Sequence, residues 1–206
     1  MAAMPERVIL ASASTARAAL LEAAGVEFTA VPAAIDEQRL KRAARRAGDS
    51  ALDCAMALAI EKAGAVSQEY PPALVIGADQ ILAAGDEWYD KPADLVEAAA
   101  QLRALRGRSH VLATAACVAC GGDVVWRATS QPELEMHRFS DEFVERYVAA
   151  EGRALLASVG AYRLEGRGVQ LFTRISGDHF AVLGLPLLEL LGFLRERGVI
   201  GVSVRK

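Results

Sequence analysis

Asp79 and Gln80 follow an apolar run, Ala73-Leu74-Val75-Ile76, and a glycine, Gly77. The run reads as a buried strand, and Gly77 permits a turn or a close backbone approach. Asp79 is thereby expected at the carboxyl end of a strand, where open α/β sheets present their chemistry. Other polar clusters fall at similar exits: Ser14-Thr15-Ala16-Arg17 after the first predicted strand, Glu37 in a loop after Ile35-Asp36, Glu61-Lys62 in a helix, and Asp90-Lys91-Pro92. Each has an ordinary explanation on its own. Ser14 and Arg17 suit a helix cap with a solvated arginine, and Lys62 can snorkel to water from an apolar helix. Lys91 can sit in a surface turn, and Glu37 can simply begin a helix. Taken together, they supply what phosphoryl chemistry needs. A helix start and a planar guanidinium hold phosphate, lysines neutralise a triphosphate, and Asp79 and Glu37 hold a divalent metal or deprotonate water.

Other motifs carry less weight. No Gly-x-x-x-x-Gly-Lys-Ser/Thr phosphate loop is present. Cys117 and Cys120 lie in one predicted strand at a spacing that sends them to opposite faces, which argues against a shared metal or a disulfide. His110, His137 and His179 lack ligand spacing. Arg39, Lys41, Arg42, Arg45 and Arg46 lie beside the acidic Asp36-Glu37 and read as a solvated helix face. The 206 residues carry a net charge of −3, with 53% hydrophobic and 24% charged side chains. That composition is globular, and with a pI near 5.7 it argues against a nucleic-acid partner while leaving room for a locally cationic cleft. No apolar run is long enough to span a membrane, so no membrane partner is expected. The start, Met1 to Arg7, lacks a basic segment followed by a long apolar one, so no secretory signal is expected. The odd count of 3 cysteines suits a reducing cytoplasm.

The elements that must position these residues alternate at first. Arg7–Ala11 reads as a strand, then a helix runs from Ser14 or Thr15 to Ala24 and stops at Gly25. Glu27–Val31 is a second strand. Helices follow at Gln38–Ala47 and Ser50–Gln68. Ala73–Gly77 is a strand, with Gln80–Ala84 as a hairpin arm before Gly85-Asp86. Asp94–Arg106 is a helix. Ser109–Cys120 and Asp123–Met136 read as long strands joined at Gly121-Gly122. Ser140 caps a helix to Ala149, Gly160–Ile175 is glycine-rich and strand-like, and Leu187 to Leu194 form the apolar face of a closing helix after Pro186. The pattern predicts an α/β fold with a mixed sheet, as a single domain over residues 1–206.

At these clusters the chain resembles the Maf family, the septum-formation-type nucleoside triphosphate pyrophosphatases. The resemblance rests on Leu10-Ala11-Ser12-Ala13-Ser14, Ile35-Asp36-Glu37, Ala59-Ile60-Glu61-Lys62-Ala63, Gly77-Ala78-Asp79-Gln80, Lys91-Pro92, Gly160-Ala161-Tyr162, Glu165-Gly166 and Gly184-Leu185-Pro186-Leu187, in that order. It implies an elongated Maf/ITPase-like sheet with flanking helices and two lobes around a central cleft. It also implies a divalent metal, Mg or Mn, and a homodimer. By the same resemblance Asp79 is the water-activating base or a metal carboxylate and Glu37 the second carboxylate. Arg17, Lys62 and Lys91 hold the phosphates, with Ser14 at the helix start. Gln80 and Glu165 fall where such proteins choose the base, and they look like the branch acting on 7-methyl-GTP rather than the one favouring dTTP and UTP. A carboxylate can accept from the N1–H and 2-amino group of guanine and complements an N7-methylated, positively charged ring. The chain departs from the family pattern at Thr15 and Ala16, where a Pro and a larger side chain are usual, and at Ser158, where Lys is common. The loss at Ala16 leaves an alternative, a catalytically weakened nucleotide sensor.

Overall fold

The computed structural model describes residues 7–201. Residues 1–6 and 202–206, which include most of the start read for a secretory signal and both ends of the expected domain, lie outside the described residues. The elements are β1 (Val8–Leu10), α1 (Thr15–Ala23), β2 (Thr29–Ala30), α2 (Glu37–Ala47), α3 (Ala51–Ser67), β3 (Leu74–Ala84), β4 (Glu87–Tyr89), α4 (Leu95–Leu105), β5 (Ser109–Cys120), β6 (Asp123–Ser130), β7 (Glu133–Met136), α5 (Asp141–Glu151), β8 (Phe172–Ser176), α6 (His179–Val182) and α7 (Leu187–Glu196). They build one 8-stranded sheet in the order β2-β1-β3-β5-β7-β8, with β4 beside β3 and β6 beside β5. β1 runs parallel to β2 and β3, and the remaining pairs are antiparallel, so the mixed α/β sheet is as expected. Among the described residues no helix is long and apolar enough to cross a membrane.

The cleft arises from a gap along one edge of β3. β1 covers Leu74, Val75 and Ile76, and β4 covers Leu82, Ala83 and Ala84. Between them, Gly77 to Ile81 pair with β5 alone among the described strands. β1 stops because the chain turns into α1. Ser12 Oγ accepts from the Ser14 N–H at 3.2 Å, and Ser14 Oγ caps the helix by accepting from the Arg17 N–H at 3.4 Å.

Apolar cores clamp both faces of the sheet. On one face, Leu10, Ile76 and Val118 pack with Leu21 of α1 and Leu190 and Leu194 of α7. On the other, Ile9, Val75 and Cys117 pack with Ala59 and Ala63 of α3. The small residues let α3 lie close. A Cβ at Gly77 would stand 2.1 Å from the Ala59 carbonyl oxygen and 2.8 Å from Ala63 Cβ. Gly77 therefore admits the helix and does not turn the strand. Cys120 packs against the α1–α7 side, opposite Cys117, and both thiols are free, as strand geometry requires.

The structure corrects the reading of several elements. β3 does not end at Gly77; Asp79 lies within an unbroken strand, and the exit that brings it to the cleft is that of β1. Glu37 is not a loop residue but opens α2, capped by Asp36 Oδ1 at 2.9 Å from the Arg39 N–H. The stretch 123–136 divides into β6 and β7 at Gln131-Pro132, where proline lacks the N–H a ladder needs. Gly160–Ile175 is not one strand: it holds 3-10 turns at Val159–Ala161 and Arg167–Leu171, and only β8 at its end is a strand. Gly160 adopts a φ of 75°, which suits a tight turn rather than a strand.

Candidate active site

A cleft of about 390 Å³ lies over the gap in β3, a size suited to a small-molecule ligand. Ser14, Arg17, Glu37, Lys62, Asp79, Gln80, Lys91 and Glu165 all line it. Residues far apart in sequence thus meet in one cavity. Glu61, by contrast, faces solvent.

Lys62 is the centre of the charged set. Its Nζ lies 2.6 Å from Asp79 Oδ1 and 2.8 Å from Glu37 Oε1. α3 brings Lys62 to β3, and the first turn of α2 brings Glu37 over both. Asp79 Oδ2 is buried and has no hydrogen-bond partner. Burial acts to raise the Glu37 pKa, but the hydrogen bond and charge of Lys62, helped by Lys41 and Lys91, hold it below the ordinary carboxylate value.

Arg17 forms a second wall. Its Nε donates to Gly184 O at 2.8 Å and its Nη1 to Ser12 Oγ at 3.3 Å. These bonds fix the guanidinium plane and leave further donors of a planar fork for an anion. Burial lowers the Arg17 pKa, opposed by the charges of Asp79 and Glu37. Lys91 is exposed along the cleft. Desolvation by the protein around it, then the positive charges of Arg17 and Lys62, push its pKa down. A site that repels its own cations in this way attracts a polyanion.

Lys41 departs from the sequence reading. Arg39, Arg42, Arg45 and Arg46 are exposed as expected, but Lys41 turns into the cleft and pairs with Asp90 at 2.5 Å. Burial acts to lower its pKa, but the hydrogen bond and charge of Asp90 raise it. One signal could have found it: Lys41 lies one helical turn after Glu37 and so shares its face. Ser12, whose hydroxyl the sequence offers beside those of Ser14 and Thr15 as a phosphate donor, lines the cleft and accepts from Arg17.

The rest of the wall comes from the carboxyl-terminal half. Glu165 is exposed there, its Oε1 3.4 Å from Arg163 Nε. Ala16 and Ser158 line the cleft, and their small side chains leave room in it. Tyr162 lines it too, its hydroxyl 2.8 Å from His110 Nε2 behind the wall. Burial holds His110 neutral by lowering its pKa to about 4. The Gln80 amide nitrogen is turned to α6, with Ala181 O and Thr114 Oγ1 both at 2.8 Å.

Among the described residues, no group of 3 or more His, Cys, Asp or Glu could hold a metal by itself. The donor set fits a different mode. Mg²⁺ is commonly held by one or two carboxylates plus substrate phosphates and water. Glu37 and Asp79, with its unpartnered Oδ2, match that need.

A cleft that sets a carboxylate pair against Arg17, Lys41, Lys62 and Lys91 has the cations that a phosphate ligand would need. Comparison with known proteins narrows the class. The family model described as Maf-like protein matches residues 7–197. This chain belongs to the Maf family. It is 50% identical over 196 residues to the protein of Granulibacter bethesdensis named nucleoside triphosphate pyrophosphatase, covering 95% of this chain and 100% of that one. It is 47% identical to the Rhodospirillum rubrum protein of the same name, over 97% of this chain and 99% of that one. It is also 48% identical to the Rhizobium meliloti protein named 7-methyl-GTP pyrophosphatase, over 96% of this chain and 99% of that one.

Proposed function

We propose that this protein is a nucleoside triphosphate pyrophosphatase, hydrolysing its substrate to the nucleoside monophosphate and pyrophosphate. The observation that carries the reading is the buried, unpartnered Asp79 Oδ2 in a cleft walled by Arg17, Lys62 and Lys91. The triphosphate lies along the start of α1, against Ser14 and Arg17, and is met from the other side by Lys62 and Lys91. Lys62 holds Asp79 Oδ1 and so leaves Oδ2 for a water. Asp79 takes the water proton while the oxygen attacks the α-phosphorus. The bond from that phosphorus to the bridging oxygen breaks, and its electron pair leaves with pyrophosphate. The cations take up the charge that develops there. Glu37 and Asp79 would hold a divalent ion, Mg or Mn, which would neutralise phosphate charge when bound. Lys41 adds a cation to the same wall, and substrate phosphate competes with Asp90 for it.

The base falls toward Glu165. A carboxylate there accepts from the donors of a guanine edge and repels the acceptor oxygens of a pyrimidine. Relatives named nucleoside triphosphate pyrophosphatase and 7-methyl-GTP pyrophosphatase stand at 50% and 48% identity to this chain, too near one another for identity to choose between them. Glu165 favours 7-methyl-GTP. Measuring pyrophosphate release over standard and modified nucleoside triphosphates tests the function. Release with equimolar monophosphate is expected. Nucleotide binding without release from any member of the panel would instead make the protein a sensor.

A further inference from the structure

The carbonyl oxygen of Ala181 is a meeting point. Gln80 Nε2 donates to it at 2.8 Å, Thr114 Oγ1 at 2.9 Å, and the Gly184 N–H at 3.0 Å. Gln80 Nε2 also reaches Val182 O at 3.3 Å and Thr114 Oγ1 at 2.8 Å. β3 and β5 hold the Ala181 carbonyl, that carbonyl holds the Gly184 N–H, and across its Cα Gly184 presents its own carbonyl to Arg17 Nε at 2.8 Å. Asp178 caps α6 through both carboxylate oxygens, to the Phe180 and Ala181 N–H groups. Gly184 has a φ of 102°, and a Cβ there would stand 3.4 Å from Arg17 Nε.

We infer that Gln80 is a positioning residue for Arg17 and does not read the base through its amide nitrogen. It acts through a short relay, from Gln80 to the Ala181 carbonyl, to Gly184, to the Arg17 guanidinium. An amide N–H2 offers two hydrogens, and both have protein acceptors within reach here. The amide orientation follows from its neighbours, since carbonyl oxygens can only accept. Gln80 and Arg17 lie on different elements, β3 and α1, so the relay ties the base-facing side of the cleft to its phosphate-facing side. A change at Gln80 is therefore felt by every nucleotide through its phosphates. The inference rests on the reading of the cleft as a triphosphate site.

Tripolyphosphate, which carries no base, separates the two roles. Its binding is measured by calorimetry with wild type, Gln80→Met, Thr114→Val, Arg17→Ala and the Gln80→Met/Arg17→Ala double variant. Gln80→Met keeps the length of the side chain and removes its donors. It should weaken tripolyphosphate about tenfold, on the scale of one or two lost hydrogen bonds. Thr114→Val, at a fully buried position off the cleft wall, should act in the same direction and less strongly. In the Arg17→Ala background, Gln80→Met should cost nothing further, because the relay has lost its end point. A merely structural Gln80 would lose stability without this dependence on Arg17. The inference is overturned if Gln80→Met binds tripolyphosphate as wild type does, or if its effect is undiminished without Arg17. Thr114→Val supplies the test if Gln80→Met does not fold, and wild-type affinity in that variant overturns it equally. A wild type that binds tripolyphosphate yet releases no pyrophosphate from any nucleotide contradicts the pyrophosphatase reading alone.

Discussion

Lys62 Nζ lies 2.6 Å from Asp79 Oδ1, while the other oxygen of the same carboxylate is buried without a partner. An ion pair this deep needs full compensation, and Glu37 supplies a second partner for Lys62 at 2.8 Å. The two oxygens are thus in different states, Oδ1 held by Lys62 and Oδ2 without a partner, and the proposed mechanism assigns the water to Oδ2.

Replacing Asp79 by Asn keeps shape and hydrogen bonding to Lys62 but removes the base. Turnover should fall by at least about 100-fold, the lower end of general-base contributions. Lys62 keeps Glu37, so the fold should persist. Circular dichroism and pyrophosphate release on the same sample check both halves. An active, folded Asp79→Asn protein contradicts the assignment.

Arg17 and Lys91 should act on phosphate and not on the base. Arg17→Ala and Lys91→Ala should each lower kcat/KM by a similar factor for 7-methyl-GTP and for GTP, because the triphosphate is common to both. A loss confined to one base would show that the residue reads that base. Lys91 also predicts an alkaline limb. Its lowered pKa means that it sheds its proton earlier than an ordinary lysine as pH rises, so phosphate binding should weaken there, and Lys91→Arg should move that limb upward.

Stability should report on Glu37 in acid. Its folded pKa lies below the unfolded value, so its contribution is fully present above the ordinary carboxylate pKa and is lost as pH falls through the folded one. Glu37 is 43% exposed, and solvent screening keeps the effect to about 1 kcal/mol or less. The difference in urea-unfolding free energy between wild type and Glu37→Gln should therefore shrink from pH 7 to pH 3. Taking the difference cancels other groups, including His110. A difference that stays constant would show that Lys62 does not stabilise the charge of Glu37.

Specificity should turn on Glu165. Wild type should prefer 7-methyl-GTP and GTP over dTTP and UTP, and Glu165→Gln should narrow the gap by about 10-fold. The effect is modest because Glu165 is exposed and Ala16 leaves space nearby. Competition kinetics decide it. dTTP or UTP as the best wild-type substrate would contradict the base reading and leave the pyrophosphatase intact.

Each candidate residue lines the cleft, but none was legible alone; they were legible as a set of carboxylates and cations and through the resemblance to the Maf family. Their placement was less so. Gly77-Ala78-Asp79-Gln80 has the composition of a turn, yet the glycine answers to the backbone of α3, a contact that no local pattern reports. Asp79 reaches the cleft only because β1 stops short of it, and β1 is distant in sequence, so the gap in the sheet is a property of pairing alone. Lys41 was hidden among arginines, because a basic run reads as solvated until one member is seen to share a face with Glu37. Gln80 was legible as a cleft residue, and it lines the cleft, but the partner of its amide nitrogen was not legible, because α6 is too short to show a period. Cys117 and Cys120 were read correctly, because strand alternation is local.

The central claim is that water attacks the α-phosphorus and pyrophosphate leaves. Hydrolysis of 7-methyl-GTP in ¹⁸O-labelled water, followed by mass spectrometry of both products, tests it most directly. The label should appear in the nucleoside monophosphate, with unlabelled pyrophosphate. Label in pyrophosphate, or nucleoside diphosphate with inorganic phosphate, would place the attack on another phosphorus and contradict the account.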